Sequence, residues 1–185
     1  MALTKVIGSG LGAIPAISGA NLTNLDSADL TGALPAISGA ALTGFTDAQM
    51  PAGSVLQVLE ATSATQVTTT SGDLVDSGHS IAITPSSTSS KVFVQMTFNS
   101  NVSANSTGLI YALHRGSTKI GDTAIAYITT AGANTHFPTS LQHLDSPSST
   151  SAVTYKLYIG SNSGSSVRLA GDWGYVRISA MEIAG

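Results

Sequence analysis

Four histidines, His79, His114, His136 and His143, are the side chains of this sequence that titrate near neutral pH, and in a chain without cysteine they are also its best metal ligands. Zinc-binding helices place two histidines one turn apart, as in H-E-x-x-H, and no pair here has that spacing. A metal site would need three copies of one histidine gathered at a symmetry axis. Otherwise each is a surface or hydrogen-bonded histidine. Nucleophilic chemistry has as little to build on, since none of the many serines stands in a G-x-S-x-G elbow. Asp145, Asp172 and Glu182 are carboxylates, but glycoside hydrolysis needs two of them held at a set separation, and nothing in their spacing does that. Glu182 falls in a terminal strand, where a sheet-face or chain-contact role is expected. The expectation is a protein that is not an enzyme and carries no cofactor or metal.

Binding chemistry is better represented. Residues 171–175 read GDWGY and hold the one tryptophan of the chain. An aromatic face beside a carboxylate suits a sugar, whose C–H face stacks on the ring while its hydroxyls bond the oxygens. Asp172, Trp173 and Tyr175 are therefore candidate ligand contacts. The plainer reading is that Trp173 plugs the head or a chain–chain interface, where a large aromatic buries much area. His114 and Arg115, in residues 114–117, and His136, in residues 134–137, are further candidates on expected loops. Their plainer reading is an ordinary hairpin connection.

These loops need a scaffold, and the composition says which kind. Charged residues make up 9% of the 185 residues, against about 25% in an average soluble protein. Short runs rich in β-branched and aromatic residues follow residue 50. They cover residues 55–60, 66–70, 80–84, 91–99, 108–115, 124–129, 152–159, 167–170 and 175–183. Period-two alternation is visible in VFVQMTF at 92–98 and YKLYI at 155–159. Residues 84–90 and 145–151 are Pro- and Ser-rich loops, and residues 115–118 and 161–164 read as hairpin turns. No helical periodicity is evident. The expected fold is all-β: an antiparallel, jelly-roll-like β-sandwich head over residues 51–185.

Residues 1–50 are different. Residues 14–25 read IPAISGANLTNL and residues 34–45 read LPAISGAALTGF, with a shorter echo, ADLTG, at 28–32. Such repetition marks stacked or solenoidal architecture. The larger apolar residues, Ile14, Ile17, Leu22, Leu25, Leu30, Leu34, Ile37, Leu42 and Phe45, keep neither a helical nor a strand period. Pro15, Pro35 and the glycines work against a helix. One such segment cannot cover its own apolar residues, whereas parallel copies can bury them along a common axis. A repetitive, non-helical, trimeric shaft is expected. A flexible linker is the alternative, and the aliphatic residues are too many and too regular for it.

Some classes are excluded. The seven Lys and Arg residues are scattered and the formal net charge is −3, so the counterion-displacing patch of a nucleic-acid binder is missing. No run approaches the ~20 apolar residues of a membrane helix. Gly8, Ser9, Gly10 and Gly12 interrupt what would have to be a signal-peptide core, so the N-terminal stretch reads as mature protein.

Three stretches, IAITPSSTSSK at 81–91, LDSPSSTSAVTYK at 144–156 and ISAMEIAG at 178–185, together with the shaft and the PAGSVLQ junction at 51–57, carry a resemblance. The chain resembles the tail-fibre and virion-fibre proteins of tailed bacteriophages, closest to those of phages infecting aquatic bacteria and cyanobacteria. The resemblance implies a homotrimer assembled in the host cytoplasm. It implies a place in the virion, joined to tail or capsid proteins through the N-terminal segment, with the head contacting a host surface polysaccharide. The alternative is a capsid decoration protein held to the shell by the same segment. A dedicated anchoring domain and a long shaft are missing from the pattern. Fifty residues at ~3.5 Å each reach at most about 175 Å.

Replacing both Ile17 and Ile37 with Asp should put unpaired charge into the shared shaft core, which is strongly disfavoured. Analytical ultracentrifugation of the double variant should show loss of the trimer. Normal trimers would exclude those residues from an interchain core.

Overall fold

The computed structural model describes residues 49–128, 135–171 and 174–185. The expected shaft core, Ile14 to Phe45, lies outside the described residues. The strands are β1 (Val55–Ser63), β2 (Val67–Thr69), β3 (Val75–Ile83), β4 (Lys91–Val102), β5 (Thr107–Arg115), β6 (Thr118–Ile128), β7 (Thr135–Asp145), β8 (Val153–Ser161), β9 (Val167–Leu169) and β10 (Val176–Ile183). Among the described residues no helix is long and apolar enough to cross a membrane.

Two antiparallel sheets result. In one, β4 pairs with β7 along one side and with β10 and then β9 along the other, while β1 and β2 line the outer side of β10 and β9. The second sheet runs β3-β8-β5-β6. With β2 and β9 taken as continuations of β1 and β10, the pairs nest: β1 with β10, β3 with β8, β4 with β7, β5 with β6. Outermost strands pair with outermost and innermost with innermost, as in a long hairpin rolled on itself. That is the jelly roll, which covers sheet faces by wrapping rather than by adding helices.

Alternation explains the layers. Along β4, Val92, Val94, Met96 and Phe98 are buried, while Lys91, Gln95 and Thr97 are exposed. They meet Tyr155, Leu157 and Ile159 of β8 and Leu109 and Leu113 of β5 in one continuous core. Each such side chain contributes roughly 1.5–3 kcal/mol of burial. The β5–β6 hairpin turns at Gly116, whose φ of 61° lies where a Gly-X two-residue turn needs it.

Several elements differ from the sequence expectation. The longest omission is β7. Its residues THFPTSLQHLD lack β-branched runs, and Pro138 argues against a strand. Yet β7 is an edge strand with β4 as its partner, so Pro138 needs no ladder bond on its free side. Residues 161–164 do not close a hairpin, because β8 and β9 belong to different sheets. β3 starts at Val75 rather than residue 80, through an irregularity between Asp76 and Ser80 that the polar SGHS run conceals.

One end of the sandwich is sealed by carboxylates. Gln57, Glu182, Val92 and Asp145 form a single inward-facing row across β1, β10, β4 and β7. Asp145 is held by Arg115 Nη1 at 2.7 and 2.9 Å and by the Tyr155 hydroxyl at 2.7 Å, which ties the two sheets together. Burial, and then this carboxylate, push the Tyr155 hydroxyl well above its usual pKa, so it stays a donor. Glu182, fully buried, accepts hydrogen bonds from Gln57 Nε2 at 2.6 Å and from the Ser86 amide and hydroxyl, both at 2.7 Å. It lies on the inner face of its sheet, as an interior group. Beside this row, Gly53 N bonds Ala184 O and Ala184 N bonds Ser54 O, both at 2.8 Å. The strand that leads in and the strand that leads out are therefore locked at one end.

Burial alone would raise the Glu182 carboxyl, but the bonds from Gln57 and Ser86 outweigh it and hold the group below its ordinary 4.5. A depressed carboxyl stabilises the fold fully above its unfolded value, and that stability is lost as pH falls through the folded one. Glu182→Gln places an NH2 among donors and should cost about 1–3 kcal/mol at neutral pH. Denaturant melts at pH 7 and at about pH 3 should show the wild type losing its advantage over the variant in acid. An advantage unchanged by pH would remove the ionised carboxylate from the account.

Candidate functional site

The strand beside β4 is broken. Leu169 of β9 pairs with Ser100, and Val176 of β10 pairs with Phe98, so on β4 only Asn99 lies between the two pairings. The described ends of the break, residues 170–171 and 174–175, stand outside this pairing. The excursion is pinned at its base: Ala170 N donates to Asn99 O at 3.1 Å, and Gly171 N to Ala64 O at 3.0 Å. The chain turns there through left-handed conformations at Ala170 (φ 54°) and Gly171 (φ 84°). It returns through Tyr175, whose ring is 54% exposed, with the Arg177 guanidinium 5.9 Å from the ring centroid. A cation over an aromatic face at that distance is attractive.

Register gives the outer face of this sheet row by row. Nearest the sealed end is an apolar row, Val58, Met181, Phe93 and Leu144. Next come Glu60, Ser179, Gln95 and Gln142, then Thr62, Arg177, Thr97 and Ser140. Beyond the excursion lie Thr68, Arg168, Asn101 and His136. Between the last two rows a groove of about 450 Å³ is lined by Thr97, Asn99, Pro138, Ser140, Gly174, Tyr175 and Arg177. An exposed ring, a guanidinium, an amide and hydroxyls on a rigid sheet provide what a saccharide needs: a stacking face and directed hydrogen bonds.

Of the residues singled out in the sequence, Tyr175 and His136 fall on this face. His136 lies in β7 rather than a loop, and its Nε2 is 3.2 Å from Asn101 Nδ2. Asp172 and Trp173 lie outside the described residues. His114 and Arg115 belong to the other sheet and are engaged in the fold. The His114 ring is buried and stacked on Tyr158, with centroids 3.7 Å apart and planes 9° apart, and Nδ1 donates to Ser117 O at 3.2 Å. Arg115 is held by Asp145. Among the described residues no group of three His, Asp or Glu side chains could hold a metal.

A larger cavity, about 550 Å³, opens between the edges of β6 and β7 and is lined by Tyr111, Ile120, Asp122, Gln142 and His143 among others. It gathers none of the sequence candidates for ligand contact. The residues sequence reasoning missed are Asn99, Arg177, Thr97 and Ser140. Each is a polar position of an alternating strand, and only the register places them side by side.

No family model matches the chain, and no curated protein does. Solved structures that match include two of the VP2 protein of infectious bursal disease virus. A VP2 subviral particle is 15% identical over 70% of this chain and 37% of that chain, with a TM-score of 0.31. A point mutant of VP2 in derived T=1 particles is 16% identical over 82% of this chain and 41% of that one, with a TM-score of 0.36. The chain thus spans less than half the length of either. Likeness of this degree carries no argument, and the strand order stands by itself.

Gly171→Ala should displace the excursion. A Cβ at this φ of 84° would stand 2.8 Å from Gln66 Oε1 and 3.1 Å from Gln66 Cβ. The left-handed backbone alone costs about 1–2 kcal/mol. A melting temperature lowered by a few degrees, with changed Tyr175 fluorescence or NMR shifts, is the expected result. An unaltered spectrum would mean that the loop base is not held as described.

Proposed function

We propose that the chain is a virion structural protein of a tailed bacteriophage. In this reading it is a short trimeric fibre or spike whose jelly-roll head touches host surface glycan and works by binding, not catalysis. The observation that carries the reading is the polarity of the head. Gly53 and Ala184 are locked together at one end, whereas the groove with Tyr175 begins at Val176, eight residues along β10. At ~3.3 Å per residue that is about 26 Å. A head built this way can be held at one end and present a rigid surface at the other. The N-terminal repeat supplies the self-association, since its aliphatic residues need copies of themselves to be covered. The resemblance to phage fibres supplies the setting.

The second reading is a capsid decoration protein gripping the shell through residues 1–50, whose aliphatic repeat would make that contact. Copy number separates the two. Hundreds of copies per particle mean the capsid, and a few dozen mean the tail.

Purified full-length protein should compete with phage for adsorption to susceptible cells. Tyr175→Ala should weaken that competition by about tenfold or more, as removal of a central aromatic contact does. Competition by the variant at wild-type strength would take the groove out of the contact. No competition by the wild type would remove receptor binding and leave decoration.

A further inference from the structure

We infer that the groove beside Tyr175 takes an acidic saccharide chain, one bearing carboxylates on successive sugars, and that Arg177 in the groove and Arg168 beyond it hold its charges. The inference rests on the glycan-binding reading above and narrows it.

Charge placement carries it. The head has few cations, and most are occupied or distant. Arg115 is ion-paired to Asp145, and Lys156 to Asp76, each at 2.7 Å. Lys119 donates to Thr123 at 3.1 Å. Lys91 stands at the sealed end, opposite Ile183. The two remaining cations, Arg168 and Arg177, flank the same excursion. Arg168 precedes Leu169, where the strand leaves the sheet, and Arg177 follows Val176, where it returns. Their neighbours on β4, Asn101 and Thr97, are four residues apart, or about 13 Å. Both arginines face outward, and among the described residues neither meets a carboxylate partner. The nearest acid by register, Glu60, accepts from Thr62 at 3.1 Å and makes no ion pair with Arg177.

The chain as a whole carries a formal net charge of −3, and these two cations lie on one face. Arginine presents a planar fork that matches a carboxylate, and it is less strongly hydrated than lysine. Arg177 already lies toward the Tyr175 ring. A sugar stacked on that ring can therefore place its carboxylate on the guanidinium while Thr97 and Ser140 meet its hydroxyls. A neutral sugar uses the ring and the hydroxyls and leaves the charge unanswered.

The test uses full-length protein, an oligogalacturonate of four to six sugars, and the methyl ester of the same oligomer, which keeps the ring and loses the charge. Calorimetry should show the acid binding about tenfold tighter than the ester at low salt, with the advantage shrinking as salt rises. Arg177→Gln and Arg168→Gln, both surface changes checked by thermal melting, should each reduce that advantage. Tyr175→Ala should weaken acid and ester alike. Equal affinity for acid and ester overturns the charge inference and leaves glycan binding standing. An advantage unchanged in both arginine variants overturns it as well. Failure to bind the acid, the ester and a panel of neutral host polysaccharides overturns the glycan-binding reading itself.

Discussion

Everything in the head depends on the hydrogen-bonding positions of β4. That strand runs unbroken for 12 residues and is paired on both sides. Its partner on one side comes in two pieces, β9 and β10, and the register leaves only Asn99 of β4 between them. An inward-facing side chain slipped by one position would turn outward, so Phe98 and Val176 cannot move to absorb the surplus. The break is thus a consequence of pairing, and the exposure of Tyr175 follows from the break. The rigidity that makes the groove usable comes from the same ladder that expels the loop.

Charge is used sparingly, and where it appears it has a position to hold. Inside, Asp145 and Glu182 close one end of the sandwich. Each is satisfied, Asp145 by Arg115 and Tyr155 and Glu182 by neutral donors. A buried carboxylate without such partners would be costly, so the seal also ties strands from both sheets to one another. Outside, hydroxyls and amides cover the sheet, which explains how a chain with so few charges presents a polar face. Glu60 and the outward arginines are the charged exceptions to that pattern, and the row Val58, Met181, Phe93 and Leu144 is the apolar one.

Much of this was legible in the sequence. Alternation in VFVQMTF and YKLYI announced β4 and β8, and RGST announced the β5–β6 hairpin, because a two-residue turn and a half-buried strand each leave a local pattern. β7 was hidden, since a proline at an edge and alternating His, Thr and Gln look like a loop until a partner strand is supplied. Glu182 was expected on a sheet face or at a chain contact, and its burial was hidden because its satisfaction comes from Ser86 and Gln57, far away in sequence. The candidate site was half legible. Tyr175 stood out by composition, and His136 as a rare side chain. Asn99, Arg177 and Arg168 did not, because their relation to Tyr175 exists only across strands. His114 and Arg115 stood out for the wrong reason: their chemistry serves the fold.

The central claim is that the head is held at the Gly53–Ala184 end and offers the Tyr175 end outward. A cryo-EM reconstruction of the intact particle tests it most directly. The account predicts three heads about a common axis, projecting from the particle, with the excursion at residues 170–175 at the distal end. Heads whose Tyr175 end is packed against the shell or tail would contradict it.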